Sequence, residues 1–268
     1  MTRTVSVFAM LLLVNQLLGL SPKKDYEFLP EDYGIKYKEI KIDTDDKLKL
    51  HGWLLEPLAA SKKCVVFCHS GEGNMADFIE HASNFISLGY NVIMFDYRGY
   101  GASDSFRINT AFYIYSQFSN DVRAALDWVR KYHAVWTIDL YGVGMGAGLG
   151  LAVAANRSEV QRVVADGAYI SFEKVQKAYE AQGISIKMPL GYDKVLMEPA
   201  FALESKGAHL NILFIGSAND QIVPANDVYA LAKLAKKSQV YVVASENNTK
   251  NMSADKDTYY RKIADFIK

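Results

Sequence analysis

The stretch WTIDLYGVGMGAGLGLAVAAN, residues 136–156, decides how the rest of the chain is read. Its apolar opening predicts a β-strand over residues 136–141. The turn Gly142-Val143-Gly144-Met145-Gly146 follows, and then small and branched apolar residues that predict a helix. A strand entering a helix through Gly-x-?-x-Gly is the frame in which the central residue sits on a strained turn and presents a nucleophile. The flanking glycines let the helix pass close to the strand. Acyl-transfer chemistry needs Ser, Cys or Asp at the centre, and the residue there is Gly144, which has no side chain to attack with.

Outward from this unit, the chain alternates buried-strand and helix patterns. Residues 63–69, 90–97, 160–165, 210–217 and 239–244 are apolar runs of strand length. Helical periodicity is expected over residues 77–88, with Asp77 as its N-cap, and over 119–132, 172–182, 226–237 and 257–268. Residues 35–42 and 47–55 alternate polar and apolar around Asp43-Thr44-Asp45-Asp46, which predicts an antiparallel hairpin. That acidic turn lacks the spacing and the glycine of a calcium loop and is read as a solvated turn. The pattern predicts an α/β fold: a mostly parallel sheet of about eight strands opened by the hairpin, with helices on both faces.

A chain of 268 residues, half of them apolar, can bury a large core as one domain, placed at residues 25–268. Lys and Arg total 30 and so do Asp and Glu, so there is no basic excess to bind nucleic acid. Cys64 and Cys68 share one face of a strand but lie ~13 Å apart, too far to bridge, and are read as small buried residues. At the N-terminus, MTRT precedes the apolar run of residues 5–20 and then Ser21-Pro22-Lys23-Lys24. A basic start plus an apolar run predicts a signal peptide or a membrane anchor over residues 1–24, and hence an extracytoplasmic or membrane-associated protein. As a helix the run would span only ~24 Å, and a helix packed on the domain is the alternative.

Four further landmarks stand in order along the chain: LHGWLLEP, HSGEGN, FDYRGYGAS and GSANDQIVP. With the glycine turn they cover residues 34–268, and on them the chain resembles the α/β-hydrolase superfamily, in its serine-aminopeptidase-like and dienelactone-hydrolase-like branch. The resemblance implies a minimal cap between strands 6 and 7. It also implies a nucleophile, an acid and a base in that order. Gly144 stands at the nucleophile position and Asp220 at the acid position. No histidine follows His209, and register puts the base position at Asn247. Asparagine takes no proton near neutral pH, so two of the three groups are absent. Backbone N–H groups of Met145 and Gly71 are implied as an oxyanion hole, His69 as a structural residue, and His69, Ser70, Glu72, Asp166 and Tyr169 as candidate pocket residues.

Three other readings stand beside this one. Ser70 or Cys68 is an alternative nucleophile, although His69, adjacent in sequence, points to the opposite face from each. Gly142-Val143-Gly144-Met145-Gly146-Ala147 also fits G-x-G-x-x-A, with Asp166 standing 24 residues beyond Gly142 as a ribose-binding acid, the fingerprint of a dinucleotide site. Phe106, Phe112, Tyr113, Tyr115 and Phe118 either line the mouth of a cavity or belong to the core. The preferred expectation is a catalytically silent hydrolase-like protein with no cofactor and no metal. It would bind a small apolar or acyl ligand or a protein partner, and associate with a membrane through residues 5–20.

Overall fold

Strand burial follows the sequence pattern. The outer strands β1 (Tyr37–Asp43) and β2 (Lys49–Leu55) form the hairpin. The apolar runs become β3 (Lys63–Cys68), β4 (Tyr90–Phe95), β5 (Ile138–Val143), β6 (Val160–Asp166), β7 (Asn211–Ser217) and β8 (Lys237–Val243). This computed structural model describes residues 19–268 except 134, 136 and 190. One eight-stranded sheet runs in the order β1-β2-β4-β3-β5-β6-β7-β8. The pairs β1/β2 and β2/β4 are antiparallel and all others parallel.

Successive side chains of a strand point to opposite faces, so each buried strand feeds two cores. In β3, Cys64, Val66 and Cys68 join the core covered by α2 (Gln117–His133), α3 (Met145–Ala155), α4 (Phe172–Ala181) and α7 (Ala225–Leu234). Val65 and Phe67 join the opposite core, covered by α1 (Ile79–Ser87) and α9 (Lys256–Ile267). Both cysteines are buried and free, as their shared face requires. Every residue of α3 is buried. It can lie against the sheet because its first turn is small: a β-carbon on Gly146 would meet the carbonyl oxygens of Cys68 and His69 at 2.3 Å.

Several local expectations need correction. The cap before α1 is Asn74, whose side chain accepts from the Ala76 N–H; Asp77 is the third residue of a short 3-10 turn and reaches back to the Asn74 N–H. Between β6 and β7 lie α4, α5 (Lys194–Met197) and α6 (Pro199–Lys206), where only α4 was expected. Residues 248–254, expected as loop, form α8 (Asn248–Ala254). The acidic turn is not wholly solvated: Asp46 pairs with the buried Arg98, which also binds the buried Asp121 of α2 and so ties hairpin to helix. The domain also starts earlier than residue 25. Leu20 is fully buried, Ser21–Pro22 pairs with Glu72–Gly73, and the Lys23 carbonyl accepts from the Gly101 N–H. Apart from Gly19 and Leu20, the apolar N-terminal run lies outside the described residues. Among the described residues no helix is long and apolar enough to cross a membrane.

Candidate functional site

The glycine turn contracts onto one residue. Gly142 and Val143 complete β5, Met145 and Gly146 open α3, and Gly144 alone makes the turn at φ +57° and ψ −122°. That backbone conformation is strained for any residue with a β-carbon and open to glycine. It is held in place: the Gly144 N–H donates to the Asp166 carbonyl at 2.7 Å, and the Gly144 carbonyl accepts from Ala147 and Gly148.

Asp220 lies just beyond β7, and its Oδ1 accepts the backbone N–H groups of Ile222 (2.8 Å) and Val223 (2.9 Å). Burial raises its carboxyl above the usual range, against the effect of those bonds and of one from the Asn248 backbone N–H. Asn248 is also the side chain that faces the elbow: its Nδ2 lies 3.1 Å from where a β-carbon on Gly144 would sit. Of the two asparagines, Asn248 and not Asn247 faces the elbow. Asn247 is the extended residue before α8, and its side chain accepts from the Thr249 hydroxyl at 2.7 Å. Sequence does not choose between the two because α8 is short and mostly polar, with only Met252 and Ala254 apolar and no repeating apolar period to fix the register.

A strand–elbow–helix turn, Asp220 after β7 and Asn248 between them lie together at this end of the sheet, and a family model of the α/β hydrolase fold matches residues 63–184. The chain is an α/β-hydrolase-fold protein. It is 24% identical to protein bem46 of Schizosaccharomyces pombe over 245 residues, covering 89% of this chain and 79% of that one. It is 23% identical over 250 residues to YNL320W of Saccharomyces cerevisiae, named as a membrane protein, covering 89% and 82%. Among solved structures, the Pyrococcus furiosus esterase Pf2001 superposes with a TM-score of 0.76 at 18% identity, covering 92% of this chain and 96% of the esterase.

The two residues expected to supply oxyanion-hole amides, Met145 and Gly71, both line the main cavity. Met145 is the first residue of α3, so its N–H has no partner within the helix. Gly71 faces Met145 across the same cavity. His69 sets the orientation of its amide: Nδ1–H donates to the Ser70 carbonyl at 2.7 Å, which turns the N–H of that planar trans peptide, the Gly71 N–H, away from the ring. His69 itself is buried against Tyr97 and Tyr100 and lines neither of the two cavities described below. Burial drives its pKa down to about 4, so at 3.8 Å from Asp96 it is a neutral neighbour and not an ion-pair partner.

The main cavity has a volume of about 480 Å³, and Ser70, Tyr113, Gly144, Tyr179, Asp220 and Asn248 contribute to its wall. Tyr179 comes from α4, within the insertion between β6 and β7. Of the aromatic segment only Tyr113 reaches this wall. Phe118 is fully buried on Tyr97, and Phe106, Phe112 and Tyr115 pack at the edge of the core. Tyr169 is not a pocket residue: its ring packs on α3 beside Gly148 and its hydroxyl donates to the Met197 carbonyl. Glu72 is an exposed side chain bordering the cavity.

The alternative chemistries find little to work with. The Cys68 thiol is fully buried and pushed up to about 12, so no thiolate forms near neutral pH. The Ser70 hydroxyl bonds to the Glu72 backbone, and the Nδ1 of its neighbour His69 is already spent on the Ser70 carbonyl. The acid of the dinucleotide reading, Asp166, is 1% exposed, and both of its oxygens are engaged: Oδ1 by the Asn251 amide and Oδ2 by the Tyr259 hydroxyl. It cannot grip a ribose. Burial raises its pKa to about 7. This buried network, drawn from β5, β6, α1, α8 and α9, leaves no local sequence signal.

Proposed function

We propose that this α/β-hydrolase-fold protein is catalytically silent and binds a small ligand through a carbonyl or carboxylate oxygen. The paired replacement carries the reading. Glycine stands where the nucleophile would be and asparagine where the base would be, each in place within an otherwise retained frame. Asparagine cannot act as general base, but its amide is a hydrogen-bond donor. The Asn248 amide beside Gly144 adds to the oxyanion-type amides of Met145 and Gly71. Two tyrosine rings and the side chains of Ile222 and Val223 offer apolar wall for an acyl or similar chain. Membrane association through residues 5–20 goes with this reading, supported by the apolar run and by similarity to a yeast protein named as a membrane protein.

The test is turnover of p-nitrophenyl esters of short and medium acyl chains. No turnover above the buffer rate is expected. Turnover abolished by Asp220→Asn would instead establish an active hydrolase with unorthodox residues.

A further inference from the structure

A second cavity of about 260 Å³ lies on the other side of Ser70 and Asn248, between α1, α8 and the end of β5. Its polar lining is unusual in what it offers a ligand. The Ser70 hydroxyl donates to the Glu72 carbonyl, the Thr249 hydroxyl donates to Asn247, and the Asn248 amide nitrogen is turned towards Gly144. The two hydroxyls are thus spoken for, and the Asn248 amide points to the first cavity. Acceptors are left: the exposed carboxylates of Glu72 and Asp77 at the rim, and His81 within.

His81 is 8% exposed, and its ring borders the cavity. Its Nδ1 is 2.9 Å from the Tyr141 hydroxyl, which is 2.8 Å from the Tyr259 hydroxyl, which donates to Asp166 at 2.7 Å. Counting protons fixes the histidine tautomer. With Asp166 ionised, the one hydroxyl proton of Tyr259 goes to the carboxylate, so Tyr141 must donate to Tyr259. Tyr141 then has no proton left for His81, and Nδ1 must carry the hydrogen. The Tyr260 hydroxyl, 3.4 Å from Nδ1, is placed to share it. In the neutral ring this leaves the lone pair on Nε2, for which the described residues provide no partner. The nearby Lys256 is paired with Glu80 and brings no donor into the cavity.

We propose that this second cavity binds the primary ammonium group of a small amine, with His81 Nε2 and the Asp77 and Glu72 carboxylates accepting its three hydrogens. Phe78, Val143 and Met252 supply an apolar wall for a short carbon chain on that nitrogen. An ammonium group has three donors and no acceptor, which complements two carboxylates and the Nε2 lone pair. A neutral alcohol brings one donor and no charge.

The probe is n-butylammonium, titrated by calorimetry into the full chain at pH 8, where Asp166 is ionised, with n-butanol as the uncharged control. Saturable binding of the ammonium and at least tenfold weaker binding of the alcohol are expected. His81→Phe and Asp77→Asn should each weaken the ammonium by about tenfold or more. Asp77 is at the rim, so Asp77→Asn keeps the test readable if His81→Phe does not fold. Nitrogen-15 shifts of the His81 ring should report the Nδ1–H tautomer, with Nε2 shifting as the amine is added. No binding at millimolar amine, equal binding of butanol, or full affinity in Asp77→Asn would each overturn the proposal. None of those results bears on the reading of the first cavity, which shares Ser70, Glu72, Asn248 and Thr249 in its wall but rests on Gly144, Asp220 and the Asn248 amide and is tested by ester turnover.

Discussion

A β-carbon placed on Gly144 would lie 3.1 Å from the amide nitrogen of Asn248, while the backbone N–H of Asn248 bonds to the Asp220 carboxylate. One asparagine therefore bridges the acid and the empty nucleophile position, where the base of a hydrolytic triad would stand. On the proposed reading the frame is kept and its chemistry is replaced by hydrogen-bond donation.

Gly144 holds a conformation that alanine tolerates poorly. Gly144→Ala should destabilise the fold by ~1–3 kcal/mol through backbone strain alone. The measurement is urea unfolding of variant and wild type. An unchanged midpoint would mean that the elbow relaxes without cost.

Asn248, and not Asn247, faces the elbow. Of the two double variants, Gly144→Ser with Asn248→His should gain ester turnover. Gly144→Ser with Asn247→His should remain at the buffer rate. The reverse order of activity would return the base position to Asn247.

Arg98 is buried between Asp46 of the hairpin turn and Asp121 of α2. Burial outweighs the pull of Arg98 and leaves the Asp121 carboxyl raised to about 6. Removing the guanidinium by Arg98→Ala leaves a buried carboxylate without its partner and should cost ~3–5 kcal/mol. Thermal unfolding at neutral pH reads this directly. A loss below ~1 kcal/mol, the range of exposed pairs, would show that water replaces the arginine.

Asp166 keeps its proton to about pH 7 in the folded chain, against ~3.9 when unfolded. Between those values the native state binds more protons than the unfolded one. The contribution of Asp166 to stability therefore falls as pH rises through that window, by at most ~1.4 kcal/mol per pH unit. His69 and His81, both pushed down to about 4 by burial, act in the opposite direction over an overlapping range. The informative quantity is thus wild type relative to Asp166→Asn: its stability should decline from pH 4 to 7 and level off above. A flat difference would place the carboxylate in a wetter site than its burial implies.

Much of the fold was legible because its signals are local or collinear. Continuous apolar runs marked the buried strands, alternation marked the hairpin, and the glycine turn marked the elbow. The acid was legible for the same reason: Asp220 follows a clear strand by a fixed offset. The base position was not, since Asn247 and Asn248 differ only in which is the last extended residue and which the first helical one, and α8 has no apolar face to decide it. The Asp166–Tyr259–Tyr141–His81 chain was invisible because its members are far apart in sequence and meet only through packing. Asn251 makes the same point. It stands in an Asn-Met-Ser sequon, Asn251-Met252-Ser253, yet in the fold it is fully buried and bonded to Asp166, Ser217 and Ser245.

Labelling with a fluorophosphonate probe, read by intact mass, tests most directly the claim that the elbow holds no nucleophile, with the Gly144→Ser/Asn248→His double variant, expected to be active, beside it. The wild-type chain should gain no mass while that variant takes up one probe. Stoichiometric labelling of the wild type, persisting in Ser70→Ala, would contradict it by revealing another live serine.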